Sequence, residues 1–194
     1  MAQFSKAYAI LRPLEGAYSN DPNDRGGETY KGIARKKQPA WPGWELIDAA
    51  REYSDFPDTL ERPALREKLR PLVFAFYKET QWDTFHGDLI ESQAVAEELL
   101  EAGVNLGLVT AGQFLQRALN HYNGRRLPVL EYDQLEVDGA IGPKTRAVLV
   151  KAILLGYRSK ILAMQNALQL GRYESITRND GTQKVYSHGW GNRG

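Results

Sequence analysis

The chain has no cysteine, which excludes a disulfide framework and leaves folding independent of the redox compartment. It has no excess of either charge: 25 Lys and Arg stand against 24 Asp and Glu, a formal +1. That balance removes the electrostatic argument for nucleic acid or a membrane surface as a partner. Short basic runs such as Arg35-Lys36-Lys37 read as a solvated face. No apolar run approaches the length needed to span a bilayer. The segment MAQFSKAYAILRPLEG places apolar residues at helical spacing and lacks the continuous hydrophobic stretch and small-residue cleavage site of a signal peptide. A protein made soluble in the cytoplasm is therefore expected. Histidine is scarce: His86, His121 and His188 lie far apart without an H-E-x-x-H pattern or cysteine companions. They read as structural or surface residues, and no metal site is expected.

What is present is a helical pattern. At 194 residues and 42% apolar, the chain can bury a core as one compact domain or one domain with a closely attached second part. Phe4, Tyr8 and Leu11 share one helical face, and Pro13 ends or kinks that helix, placing Glu15 just past its C-terminus. From Tyr30 to Trp44 the glycines and prolines predict loop and short extended pieces, with at most a small β-hairpin near Gly27 to Ile33. Leu65, Leu69, Leu72, Val73 and Phe76 predict a helix that Pro71 should bend. Ser92 and Thr110 are read as N-caps of two further helices. The polar stretch from Asn123 to Glu136 is the longest candidate loop, and Pro143 is expected at the first position of the helix that carries Val148, Leu149, Ala152 and Ile153. A last helix is expected to carry Ile161, Leu162, Gln165 and Leu168 and to stop at Gly171. There is no internal repeat. The fold class expected is mainly α.

Two apparent motifs fail on inspection. Gly189 to Gly194 matches G-x-G-x-x-G but ends the chain, so no helix follows to receive a pyrophosphate. Asp21 to Gly26 suggests a calcium loop, yet its fifth position is Arg25 and its twelfth is Gly32 rather than a bidentate glutamate. A third stretch survives. A glutamate at a helix C-terminus feels the negative end of the macrodipole, and apolar burial would add to the effect, so Glu15 suits a raised pKa and a general acid's role. Asp24 follows nine residues on across a loop, and Gly26-Gly27 lets the backbone turn into a strand that would hold Thr29 opposite the glutamate. One raised carboxyl, one ionised carboxylate and a hydroxyl suit hydrolysis of a glycosidic bond. Spacing alone favours the plainer reading, a solvated helix end and an ordinary turn residue.

Resemblance separates these readings. Glu15-Gly16-Ala17-Tyr18, Asn20-Asp21-Pro22-Asn23-Asp24, Gly26-Gly27-Glu28-Thr29 and Gly32-Ile33 closely resemble the E-G-G-Y…N-D-P-x-D-x-G-G-x-T…G-I signature of glycoside hydrolase family 108. Tyr77 to Asp83 resembles that family's Y-x-x-x-Y-W-D segment, with Gln81 for the second tyrosine. Val104 to Gly107, Phe114 to Asn120, Asp138 to Thr145 and Gly189 to Arg193 resemble the peptidoglycan-binding region that accompanies the catalytic part. The resemblance implies a lysozyme-like helical fold with a small hairpin beside the catalytic glutamate. It divides the chain into a muramidase part over 1–102 and a peptidoglycan-binding helical part over 103–194, packed as one unit. The activity implied is hydrolysis of the β-1,4 bond between MurNAc and GlcNAc, with Glu15 as catalytic acid, Asp24 and Thr29 as supporting catalytic residues, and no cofactor. Tyr18 and Tyr30, inside the signature, and Asn105 and Gln116, in the second region, are the candidate substrate-binding residues.

Trp41, Trp44, Trp82 and Trp190 read as core residues rather than sugar platforms, whereas Tyr18 belongs in or beside the cleft. The chain departs from the family pattern at Ala17, which replaces a glycine, and at Glu101, where aspartate is usual. Peptidoglycan strands are the implied partner, with a holin or a secretion apparatus giving access to them, and a monomer is expected. Two other readings stay open: a lytic transglycosylase, in which a sugar hydroxyl replaces water, and a non-catalytic wall-binding or secretion accessory protein.

Overall fold

The computed structural model describes residues 1–11, 17–20, 27–124 and 129–179. Contacts divide the chain into two units, Phe4–Thr84 and a second made of Met1–Gln3 with the chain from Phe85 onward. Architecture is mainly α with one small antiparallel sheet.

In the first unit, α1 (Phe4–Leu11) buries Phe4, Ala7 and Leu11, with Phe4 and Leu11 on the face the apolar spacing predicts, and Pro13 lies outside the described residues. Phe4 sets its ring 4.7 Å from that of Phe74 and 5.5 Å from that of Trp82, which is fully buried. The sheet has three strands, β1 (Tyr18–Ser19), β2 (Thr29–Tyr30) and β3 (Ile33–Ala34), one more than the expected hairpin. Tyr18 pairs with Tyr30, and Tyr30 with Ile33. Lys31 and Gly32 form the two-residue turn between β2 and β3 with φ of +46° and +78°. Positive φ at both positions makes this a type I′ turn, whose twist matches that of the strands it joins. The Tyr77 hydroxyl donates to the Lys31 carbonyl at 2.8 Å and fixes the turn to α3 (Pro63–Tyr77).

The segment from Tyr30 to Trp44 also leads into a helix that turn chemistry concealed, α2 (Gly43–Ala50). Gly43 is obligatory there, because a Cβ would stand 2.1 Å from the Trp41 ring. Trp41 and Trp44 are buried, as expected, with their indole N–H groups donating to the carbonyls of Leu72 and Gln38. Helix α3 continues through Pro71, whose missing N–H leaves the Glu67 carbonyl without its helical donor. A π-turn, Lys78–Trp82, then follows.

In the second unit, Ser92 caps α4 (Gln93–Leu106) by accepting from the Val95 N–H at 3.4 Å. Thr110 is not a cap. Helix α5 (Leu108–Tyr122) starts directly after Gly107, whose φ of +89° lets one residue close α4 and open α5, so Thr110 falls inside the first turn. Pro143 opens α6 (Pro143–Leu154) as predicted. Helix α7 (Arg158–Asn179) does not stop at Gly171. Its buried stripe of Ile161, Gln165, Gln169 and Tyr173 extends past the glycine, and packing outweighs the penalty of about 1 kcal/mol for a mid-helix glycine.

Candidate functional site

Glu15, Asp24 and Trp190 lie outside the described residues. The structure places Thr29 and Tyr18 on adjacent strands of the hairpin sheet, with Ser19 opposite Thr29. Thr29 is held from behind: its hydroxyl donates to the Gly27 carbonyl at 3.1 Å. Gly27 has φ of +67°, which favours glycine at this point of the signature.

Around Tyr18 the sheet carries a charged network that composition did not reveal. Glu28, with 12% of its side chain exposed, accepts from the Tyr18 hydroxyl at 3.2 Å and pairs with Arg51 at 2.6 Å and Arg35 at 2.7 Å. Asp48 on α2 completes the network at 2.6 Å from Arg35 and 3.4 Å from Arg51. Both arginines also stack, Arg35 over Trp44 at 4.4 Å and Arg51 over Phe56 at 5.5 Å, and Phe56 meets the Tyr18 ring edge-on at 4.9 Å. The hydrogen bond from Arg35 holds the Asp48 carboxyl below the usual carboxylate range. Burial, reinforced by the Glu28 charge, pushes the Tyr18 hydroxyl up. Tyr18 is thus a neutral donor whose orientation is set by Glu28. The expected solvated face over residues 35–37 needs correcting at Arg35, whose guanidinium faces inward to two carboxylates and an indole. No local sequence signal marked it, because Glu28, Arg35, Asp48 and Arg51 meet only in the fold.

Tyr30 is 2% exposed and stacks on Trp41 with ring centroids 6.1 Å apart; burial pushes its hydroxyl up to about 12. In the second unit, Asn105 lies near the end of α4, half-buried. Gln116 is buried on α5, where both ends of its amide hold the turn before α6: the amino group donates to Asp138 Oδ1 at 2.7 Å and to the Ala140 carbonyl at 3.0 Å, and the oxygen accepts from the Gly139 N–H at 2.7 Å. Asn120 grips both backbone groups of Leu135 in the same way, at 2.8 and 2.9 Å, and Asn123 does so with Tyr132 at 2.8 and 3.1 Å. Three amides at i, i+4 and i+7 therefore act as a surrogate strand for the loop. Gly112 completes the seam, since a Cβ there would lie 2.0 Å from the Gly139 carbonyl oxygen. Among the described residues no group of three His, Cys, Asp or Glu could hold a metal ion, and no helix is long and apolar enough to cross a membrane.

Two family profiles match successive segments of the chain, with a boundary that differs from the contact boundary after Thr84. The glycosyl hydrolase 108 profile matches residues 8–107, a segment that contains Glu15, Asp24, Thr29 and the Glu28 network. The chain belongs to the glycosyl hydrolase 108 family. Residues 110–194, including the amide-clamped loop, match the profile described as a predicted peptidoglycan domain. No curated protein matches the chain. Among solved structures, that of Brucella abortus SagA is similar over 98% of this chain and 88% of its own, with a TM-score of 0.61 and 24% identity, a likeness of fold. A glycoside hydrolase segment joined to a peptidoglycan domain supports a lysozyme-like function in peptidoglycan hydrolysis.

Proposed function

We propose that this glycosyl hydrolase 108 member is an N-acetylmuramidase that hydrolyses the β-1,4 bond between MurNAc and GlcNAc. The observation that carries the reading is the family match over a segment whose Glu15, Asp24 and Thr29 occupy the signature's carboxyl and hydroxyl positions. Glu15 would protonate the leaving glycosidic oxygen, and the Asp24 carboxylate would either stabilise positive charge at the anomeric carbon or direct water onto it. Thr29, anchored through Gly27, would present its oxygen from the hairpin. Tyr18, whose proton goes to Glu28, would accept from a sugar hydroxyl or the acetamido N–H, with Glu28, Arg35 and Arg51 fixing its direction. The peptidoglycan domain would keep the catalytic segment on an insoluble substrate by raising its local concentration there.

The test is the chemical identity of the ends released from purified peptidoglycan. Borohydride reduction and mass spectrometry should find newly reduced muramic acid. Reduced glucosamine ends would assign a glucosaminidase instead. Anhydro-muramyl ends, lighter by one water, would assign a lytic transglycosylase.

A further inference from the structure

Two concavities on the first unit adjoin, sharing Tyr8 and Arg70 as lining residues. One, of about 360 Å³, has buried Tyr30 and Val73 at its base and Lys31, Glu61, Arg66 and Arg70 around it. The other, of about 530 Å³, continues past Pro71 and Phe74 to Ser5 and Ala9. Three cations, Lys31, Arg66 and Arg70, and two acids, Glu61 and Glu67, line them. Lys31 lies 3.6 Å from Glu61, so that pair offsets itself. Arg66 and Arg70 remain, one turn apart on the exposed side of α3. Neither guanidinium has a carboxylate at ion-pair distance among the described residues, although Glu67 lines the larger concavity. Like charges at i, i+4 disfavour a helix by a few tenths of a kcal/mol. An anion brought to the pair would relieve that repulsion.

The surface beneath the arginines is aromatic. Tyr8 meets Phe74 edge-on at 5.1 Å and lies 6.1 Å from Tyr77. The Tyr30 hydroxyl keeps its proton at working pH and adds no negative charge. A matching ligand would alternate carboxylates with small alkyl groups. Peptidoglycan offers such a ligand in the short peptide attached to each muramic acid, a chain of small residues with free carboxylates.

We propose that the paired concavities bind the carboxylate-bearing peptide stem of the glycan strand, with Arg66 and Arg70 forking onto its carboxylates and the tyrosine and phenylalanine rings receiving its alkyl groups. The inference rests on peptidoglycan being the substrate. It makes the enzyme selective for strands that still carry peptides over strands from which an amidase has removed them.

The test uses the full chain and a GlcNAc–MurNAc disaccharide, which contains no MurNAc–GlcNAc bond to cut, with and without its peptide stem. Calorimetry at low salt should show the stem-bearing probe binding about tenfold tighter, the scale of two exposed charge-assisted contacts, with the preference shrinking as salt is raised. The double variant Arg66→Gln/Arg70→Gln should abolish the preference, and Arg66→Lys/Arg70→Lys should keep part of it, because charge remains while the fork is lost. Both side chains are exposed, so unfolding midpoints should match the parent's. Equal affinity of the parent for the two probes, or an undiminished preference in the glutamine variant, would overturn the proposal. Neither result bears on cleavage, which is scored separately on amidase-stripped strands. Stem-selective binding in a chain that cuts no strand would keep this site and remove the hydrolase reading.

Discussion

Replacing Glu98 with glutamine tests the packing of α4 against α7 through its pH dependence. Glu98 is largely withdrawn from water, and burial, aided by the charge of Glu101 one turn on, pushes its carboxyl from 4.5 to about 7. Asn166 on α7 faces it, and with the amide oriented as the hydrogen bonds require, its nitrogen donates to both carboxyl oxygens at 2.8 and 3.0 Å. Between pH 4.5 and 7 the folded chain holds a proton at Glu98 that the unfolded chain releases. Stability from this group is therefore complete at acid pH and is lost as the pH rises through that window. At about 1.4 kcal/mol per pH unit the full displacement corresponds to roughly 3 kcal/mol. The Asn166 amino group favours the charged form and reduces this, so a loss of about 1–3 kcal/mol is expected. Glutamine stays neutral throughout. Urea unfolding of the parent and Glu98→Gln at pH 5, 6, 7 and 8 should give curves that diverge, with the variant gaining about 1–3 kcal/mol on the parent by pH 8. Titrating groups other than Glu101, whose charge is coupled to that of Glu98, are common to both proteins and cancel in the difference. Parallel pH dependences would refute the argument.

Gly112→Ala should lower stability by about 2 kcal/mol or more despite alanine's better helix propensity, because the clash is with the Gly139 backbone carbonyl; thermal melts measure it, and an unchanged or raised midpoint would mean that the loop does not press on α5. Glu28→Gln should cost about 1–2 kcal/mol, a figure kept low by the partial exposure of Arg35 and Arg51, and denaturation in 0.1 M and about 1 M salt should show the difference shrinking as salt screens the freed charges. Asn120→Ala should leave both Leu135 backbone groups unpaired, and hydrogen exchange should rise at that amide before any change in α6.

The parts of the fold legible in the sequence are those set by local chemistry. Ser92 caps because its oxygen meets an N–H within the same turn, and Pro143 opens α6 because its ring fixes φ before any tertiary contact forms. The misread parts depend on distant partners. Gly171 looks like a helix stop until Tyr173 is seen to be buried beyond it, and α2 hides behind Pro39 and Pro42 because its stability comes from burying Trp44 and Ile47. Arg35 followed the same rule, since a basic run reads as solvated unless the acids it meets, Glu28 and Asp48, are known to converge. The signature located the candidate site by order and spacing, whereas the network that orients Tyr18 draws on residues from Tyr18 to Phe56 that no local pattern links.

The central claim is that Glu15 supplies the proton that breaks the glycosidic bond. Glutamine is nearly isosteric there and cannot supply it. The direct measurement is the rate at which parent and Glu15→Gln proteins, matched for folding, release soluble muropeptides from purified peptidoglycan. The account predicts a fall of at least ~10²-fold with the unfolding midpoint unchanged or raised, the signature of a lost general acid at a site tuned for function. Release by Glu15→Gln at the parent's rate would contradict it.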